Sequence, residues 1–318
     1  MSKRTLLLRV LALAAAVTAA YFAIHALVDN WVDARAALLS ADPLTLLAAV
    51  AVAAVGTAVI GAAWGSILTH LEPQPHRYPA LAWYFVGEVA KYVPGSAWSV
   101  IGRGELAQRG GVPRPTAYLS VLGSLILLYG TAAGIGAITV LTPEITGGTV
   151  RLVIMTLLVI SIIPLTHPRV VGPVTSTAAR WAKAPTPPPE PDHQASLTLV
   201  GIYASAWALI GTATWLVVRS LGMNGSWYDI TCATIVAWLA GFVVVFAPGG
   251  IGIREAAFIA LSGLDSGDAA LVAVVARLVF VTVDVGGAAL ATVWLRLRRH
   301  RVDGAVRRQS TGSSVGEP

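Results

Sequence analysis

The sequence predicts an all-α polytopic membrane protein, with six full spans and two re-entrant broken helical hairpins arranged as an inverted-topology repeat. Three observations predict it. Of the 318 residues, 56% are hydrophobic and only 12% are charged, where a soluble domain carries roughly 25% charged residues. Apolar runs recur that match the roughly 20 residues a helix needs to cross a hydrocarbon core of about 30 Å. Two further apolar segments are interrupted by Pro-Gly and carry charged side chains.

The first span is read from Leu6 to Val28. A basic start (Lys3, Arg4) and an Ala-rich run resemble a secretory signal, but the apolar stretch outlasts a signal's hydrophobic region, so it reads as retained. Leu44 to Leu68 and Tyr118 to Val140 follow, neither with a charged residue. Val150 to Thr166 is shorter and opens with Arg151, whose side chain can snorkel to the interface. Leu197 to Val218 and Ala269 to Leu295 complete the six. A Pro-rich linker, residues 184–196, separates the fourth span from the fifth. The membrane domain is expected over residues 1–308, in halves 1–149 and 150–308, with a disordered tail at 309–318.

The two irregular segments are Ala80 to Ile101, with Glu88, Lys91 and a Pro94-Gly95 break, and Ile230 to Leu264, with Pro248-Gly249-Gly250 before Arg254 and Glu255. Basic residues gather at the N-terminus, on both sides of the first irregular segment (Arg77; Arg103, Arg109, Arg114), in the linker and in the arginine-rich tail after Leu295. The positive-inside rule places all of these in the cytoplasm, with both termini. The first irregular segment then enters and leaves on the inner side and the second, by parity, on the outer side. Broken backbone at membrane depth is tolerated only where protein buries it or water lines it. Paired, Gly/Pro-interrupted segments in corresponding places of two halves point to a substrate site near the midplane.

Glu88, Lys91, Arg254, Glu255, Arg277 and Asp284 lie within these segments and the last span. At roughly 2.5–3.5 kcal/mol each on insertion scales, they must face one another or water. Three acids and three bases make a fully paired, neutral cluster the plainer reading. The sharper one is an anion site. Tyr84, Glu88, Lys91 and Tyr92 fall on one helical face, Arg277 and Asp284 share another, and the half-helix opened by Arg254 and Glu255 is expected to turn free N–H groups toward the site.

The stretches GEVAKYVPGSAWSVIGRGELAQRGGVPR (Gly87 to Arg114) and APGGIGIREAAF (Ala247 to Phe258) resemble the flippase-like integral membrane family, which includes the transmembrane region of lysylphosphatidylglycerol synthase. The resemblance implies a lipid-translocating membrane domain. By motif it points to Glu88, Lys91, Tyr92, Pro94, Gly95, Trp98, Arg103, Glu105, Pro248, Gly249, Gly250, Gly252, Arg254 and Glu255, to which the spacing argument adds Arg277 and Asp284. The synthase's soluble aminoacyl-transferring domain would follow the membrane region, whereas this chain stops at Pro318, so aminoacylation is not implied.

The expected function is therefore translocation, as a flippase or scramblase, of an anionic amphipathic lipid such as a phospholipid or a polyprenyl-phosphate-linked sugar. The expected partners are the bilayer, that lipid, and a second copy or a lipid-modifying enzyme. An Arg- and Ala-rich composition suits the plasma membrane of a GC-rich bacterium. Two rivals stay open: a membrane-embedded lipid-phosphate transferase with Glu88 or Glu255 as general base, and a non-transporting scaffold. No enzyme activity, metal or cofactor is expected: Cys232 stands alone, and neither a His-Glu-x-x-His nor a Ser-His-Asp pattern occurs. Basic stripes interleaved with aromatics are missing, so no nucleic acid is expected.

Overall fold

The computed structural model describes residues 31–72, 78–92, 98–140, 193–243 and 252–313. Their regular structure is entirely helical. A short helix α1 (Trp31–Ser40), in a stretch the sequence reading left without structure, leads into α2 (Pro43–Leu71). Asp42 caps α2 and Pro43 occupies its first turn, where a missing N–H costs nothing. The first interrupted segment is α3 (Ala80–Glu88), a 3₁₀ turn (Val89–Tyr92) and α4 (Trp98–Arg109), and α5 (Arg114–Val140) follows. After α6 (His193–Ser220), the second interrupted segment is α7 (Trp227–Val243) and α8 (Ile253–Leu261), and α9 (Ser266–Ser313) closes the chain.

Four helices among the described residues are long and apolar enough to cross a membrane: Pro43–Leu71, Arg114–Ala137, Gln194–Ser220 and Ser266–Arg298. They match the second, third, fifth and sixth expected spans. The spans at Leu6 to Val28 and Val150 to Thr166, most of the linker, and the breaks at Pro94-Gly95 and Pro248-Gly249-Gly250 lie outside the described residues. Two boundaries differ from expectation. Helix α6 begins at His193 and takes in the end of the linker, and α9 continues to Ser313, so residues 309–313 are helical and not a disordered tail. A span already in register carries helix onward through residues that could not nucleate one.

The centre of the bundle is the antiparallel pair α2 and α6. The Asp42 N–H donates to the Ser220 carbonyl at 2.8 Å, fixing the start of one beside the end of the other. Gly56 lets the backbones close up: a Cβ there would stand 3.1 Å from Leu209 Cβ. Trp64, Trp207 and Tyr203 fill the adjoining core, and each polar tip is satisfied inside it, Trp64 by Ser120, Trp207 by the Leu128 carbonyl and Tyr203 by Ser124.

The other helices pack around that pair in a pattern with a regularity of its own. Helix α3 packs on α2, α4 and α9, and α7 packs on α6, α8 and α5. Helix α4 also packs on α5 and α8 on α9, while α5 and α9 each touch both α2 and α6. Exchanging α2 with α6, α3 with α7, α4 with α8 and α5 with α9 leaves this set of neighbours unchanged. Close approaches of α2 and α9 to α3 run through glycine. Gly61 faces the Tyr84 ring and Leu81, and a Cβ on Gly287 would come within 2.4 Å of the Phe85 ring.

Candidate functional site

Helix α3 ends at Glu88, and the tighter 3₁₀ turn after it swings Lys91 and Tyr92 toward α9. Asp284, only 2% exposed, receives both: Lys91 Nζ lies 2.8 Å from its carboxylate, and the Tyr92 hydroxyl donates to it at 2.6 Å. Glu88 holds the same ammonium at 3.2 Å. Two carboxylates thus share one lysine. In an apolar interior such a cluster persists only because hydrogen bonds and opposite charges offset the loss of solvation.

In the second segment α8 starts at Gly252, whose φ of +84° suits a residue without a Cβ. The Gly252 N–H donates to Glu255 at 2.7 Å, and the other oxygen of that carboxylate accepts from Arg277 of α9. The N-terminus of α8 was expected to turn free N–H groups to an incoming anion. Instead the protein's own carboxylate sits there, because Glu255 is the third residue of the helix and reaches back to cap it. Arg254, its neighbour, has no carboxylate within ion-pair distance among the described residues. Its guanidinium lies over the Trp238 ring, 4.0 Å from the centroid, and 5.5 Å from that of Phe280.

Trp238 joins the two segments. Lys91, from the first, stands 5.5 Å from the centroid of the same indole. One ring of α7 therefore serves a cation from each half of the chain, with Trp207 and Phe280 set edge-on around it. Beside it is a cavity of about 60 Å³ lined by Tyr84, Glu88, Lys91, Arg103 and Trp238 among others, a volume with room for several water molecules. Arg103 was expected in a cytoplasmic loop. Helix α4 instead continues to Arg109, and Arg103 lies 2% exposed against Tyr84 and Trp64, at 5.3 and 5.9 Å from their centroids. Gly87 makes room for it, since a Cβ there would lie 2.6 Å from Arg103 Cγ.

Of the expected residues, the structure gathers Glu88, Lys91, Tyr92 and Asp284 into one cluster, and pairs Glu255 of α8 with Arg277 of the last span. Arg254 joins the first group through Trp238, and Arg103 joins it through the cavity. Trp98 opens α4 and Gly252 opens α8. Glu105 is turned elsewhere and accepts from the Tyr118 hydroxyl at 3.0 Å. Pro94, Gly95, Pro248, Gly249 and Gly250 lie outside the described residues. The six charges are not all paired with one another, as the plainer reading required, because Arg254 rests on rings. Trp238 was missed in the sequence. A signal for it exists: Ala82-Trp83 precedes Gly87 and Pro94, Ala237-Trp238 precedes Gly241 and Pro248, and the Gly-to-Pro spacing is the same in both.

Two interrupted apolar segments, four crossing helices and a buried ionic cluster make the chain a multi-pass α-helical membrane protein. No curated protein matches it. The family model described as the lysylphosphatidylglycerol synthase TM region matches residues 5–286, and the chain belongs to that family.

Proposed function

We propose that this protein translocates an anionic amphipathic lipid, a phospholipid or a polyprenyl-phosphate-linked sugar, without altering it covalently. The observation that carries the reading is the convergence of Lys91 and Arg254, one from each interrupted segment, on the ring of Trp238. A cation from each segment on one ring, which itself borders a cavity with room for water, suits a phosphate head group, while the tails stay in the bilayer. Membership of a family named for a lipid synthase supports a role in membrane lipid biology.

In this reading the interrupted segments are re-entrant hairpins entering from opposite leaflets, within six spans and an inverted repeat. The packing pattern that survives exchange of the two sets of helices supports it. Both termini are cytoplasmic and the host membrane is the plasma membrane. A cavity of about 60 Å³ is too small for a phospholipid head group, so passage requires the halves to part and α9 to give up contacts on one side. Lys91 and Arg277 are held by Glu88, Asp284 and Glu255 until a head group displaces those carboxylates.

Proteoliposomes carrying a fluorescent phosphatidylglycerol test this. Wild type is expected to make inner-leaflet lipid accessible to an external quencher, and the double variant Lys91→Ala plus Arg254→Ala to slow that by at least about tenfold, the equivalent of one lost charge-assisted contact. Equal rates would end the proposal, as would a changed lipid mass after incubation.

A further inference from the structure

Buried indole N–H groups in this bundle have acceptors. Trp64 donates to Ser120 at 3.1 Å and Trp207 to the Leu128 carbonyl at 2.8 Å, while the half-buried Trp215 donates to the Gly225 carbonyl at 3.1 Å. Trp238 departs from the rule. Its Nε1 is buried and has no partner among the described residues. A buried donor left unpaired costs about 1–3 kcal/mol, and native proteins retain few of them.

Packing explains a broad aromatic face here, which tryptophan supplies best, but it does not explain a donor. Phenylalanine would supply a face for Arg254 and Lys91, and edges for Trp207 and Phe280, without a donor to satisfy. The unpaired N–H belongs to the ring on which both cations converge, and the ring borders the cavity that Arg103 also lines. The Lys91 ammonium and the Arg103 guanidinium lie on the same lining as this ring, so that cavity offers an oxyanion two cations and, at the ring, an indole donor.

We infer that Trp238 is a ligand of the head group, its indole N–H donating to a phosphate-ester oxygen while its ring holds the two cations in place. This rests on the translocation reading and deepens it by naming a neutral donor that meets the phosphate ester beside the cations. Trp238→Phe tests the donor, because it deletes the N–H and keeps an aromatic face, though a smaller one.

The test uses the full chain in detergent micelles, with dissociation constants by native mass spectrometry for dioleoyl-phosphatidylglycerol, for dioleoylglycerol and for inorganic phosphate. Trp238→Phe is expected to weaken phosphatidylglycerol about tenfold and to leave dioleoylglycerol unchanged. Weaker competition by inorganic phosphate in the variant would assign the contact to the phosphate itself. Undiminished phosphatidylglycerol binding would overturn the inference, and so would inorganic phosphate binding in wild type with no binding of the lipid. Wild type that does not prefer phosphatidylglycerol to dioleoylglycerol would instead remove the broader reading. Should Trp238→Phe fail to fold, ¹⁵N-tryptophan labelling of wild type decides: no indole N–H resonance moving on titration with phosphatidylglycerol overturns the assignment equally.

Discussion

The two interrupted segments hold corresponding places in the packing yet manage charge in opposite ways. The first neutralises its cation twice over, with Glu88 from its own helix end and Asp284 from α9, and seals the turn with the Tyr92 hydroxyl. The second spends its carboxylate on its own helix start and on Arg277, and leaves Arg254 to aromatic rings. Burial follows the same division: Asp284 is 2% exposed, whereas the Glu255 side chain is 23% exposed. One segment is anchored to α9 by a buried ionic cluster and the other by a more accessible pair, so the second is the easier one to release.

Asp284→Ala should break the comparison most severely. It strips Lys91 of its shorter ion pair and leaves the Tyr92 hydroxyl without its acceptor, and removal of one partner from a buried pair costs about 3–5 kcal/mol. Thermal unfolding in detergent reads this directly, and a loss under 1 kcal/mol would mean that water already reaches the cluster. Gly287→Ala attacks the same anchor sterically, since the new methyl would meet the Phe85 ring and push α3 away from α9. Overpacking of this kind costs about 1–3 kcal/mol. The same melts should show that loss for Gly287→Ala, and an unchanged melting temperature would mean that the Phe85 ring simply turns aside.

Glu255→Ala is the counterpart in the second half. It removes a helix cap and a partly exposed ion pair together, and about 1–2 kcal/mol is expected in the same melts. A loss as large as that of Asp284→Ala would erase the distinction between the halves. The ratio of the two losses is therefore more informative than either alone.

The crossing helices were legible in the sequence because lipid demands a long apolar run, and such a run needs no tertiary information to be seen. The ionic residues were legible for the complementary reason: charge in an apolar segment is costly enough to be noticed one residue at a time. Which charge meets which was not legible. The seven-residue spacing put Arg277 and Asp284 on one face of α9, but only the approach of α3 over Gly287 sends Asp284 to Lys91, while α8 takes Arg277. Glu255 was read as opening a half-helix toward an anion, yet its distance from Gly252 is that of a residue that caps its own helix. Arg103 was named by motif but placed in a loop by the charge rule, because nothing local shows that α4 runs on to Arg109 and sets it against Trp64. Trp238 was missed because the Ala-Trp pair it shares with Ala82-Trp83 marks a corresponding place in the two segments, not the cations that reach its ring from elsewhere in the chain.

The smallest effect is expected where the two halves meet, at the start of α2. Asp42 accepts the Thr45 N–H at 2.9 Å and the Thr45 hydroxyl, and these bonds hold its carboxyl below the ordinary value of 3.8. Its charge also faces the positive end of the α2 dipole. A carboxyl with a depressed folded value stabilises the native state above its unfolded value, near 3.9, and loses that contribution as pH falls through the folded value. Asp42→Asn keeps a capping oxygen but removes the charge. It should therefore melt below wild type by a constant margin between about pH 5 and pH 8, with the margin closing below about pH 4. A margin that widens on acidification would mean that the carboxylate is opposed in the folded state. The junction tied by the Asp42 N–H to Ser220 would then be strained by the charge at its end.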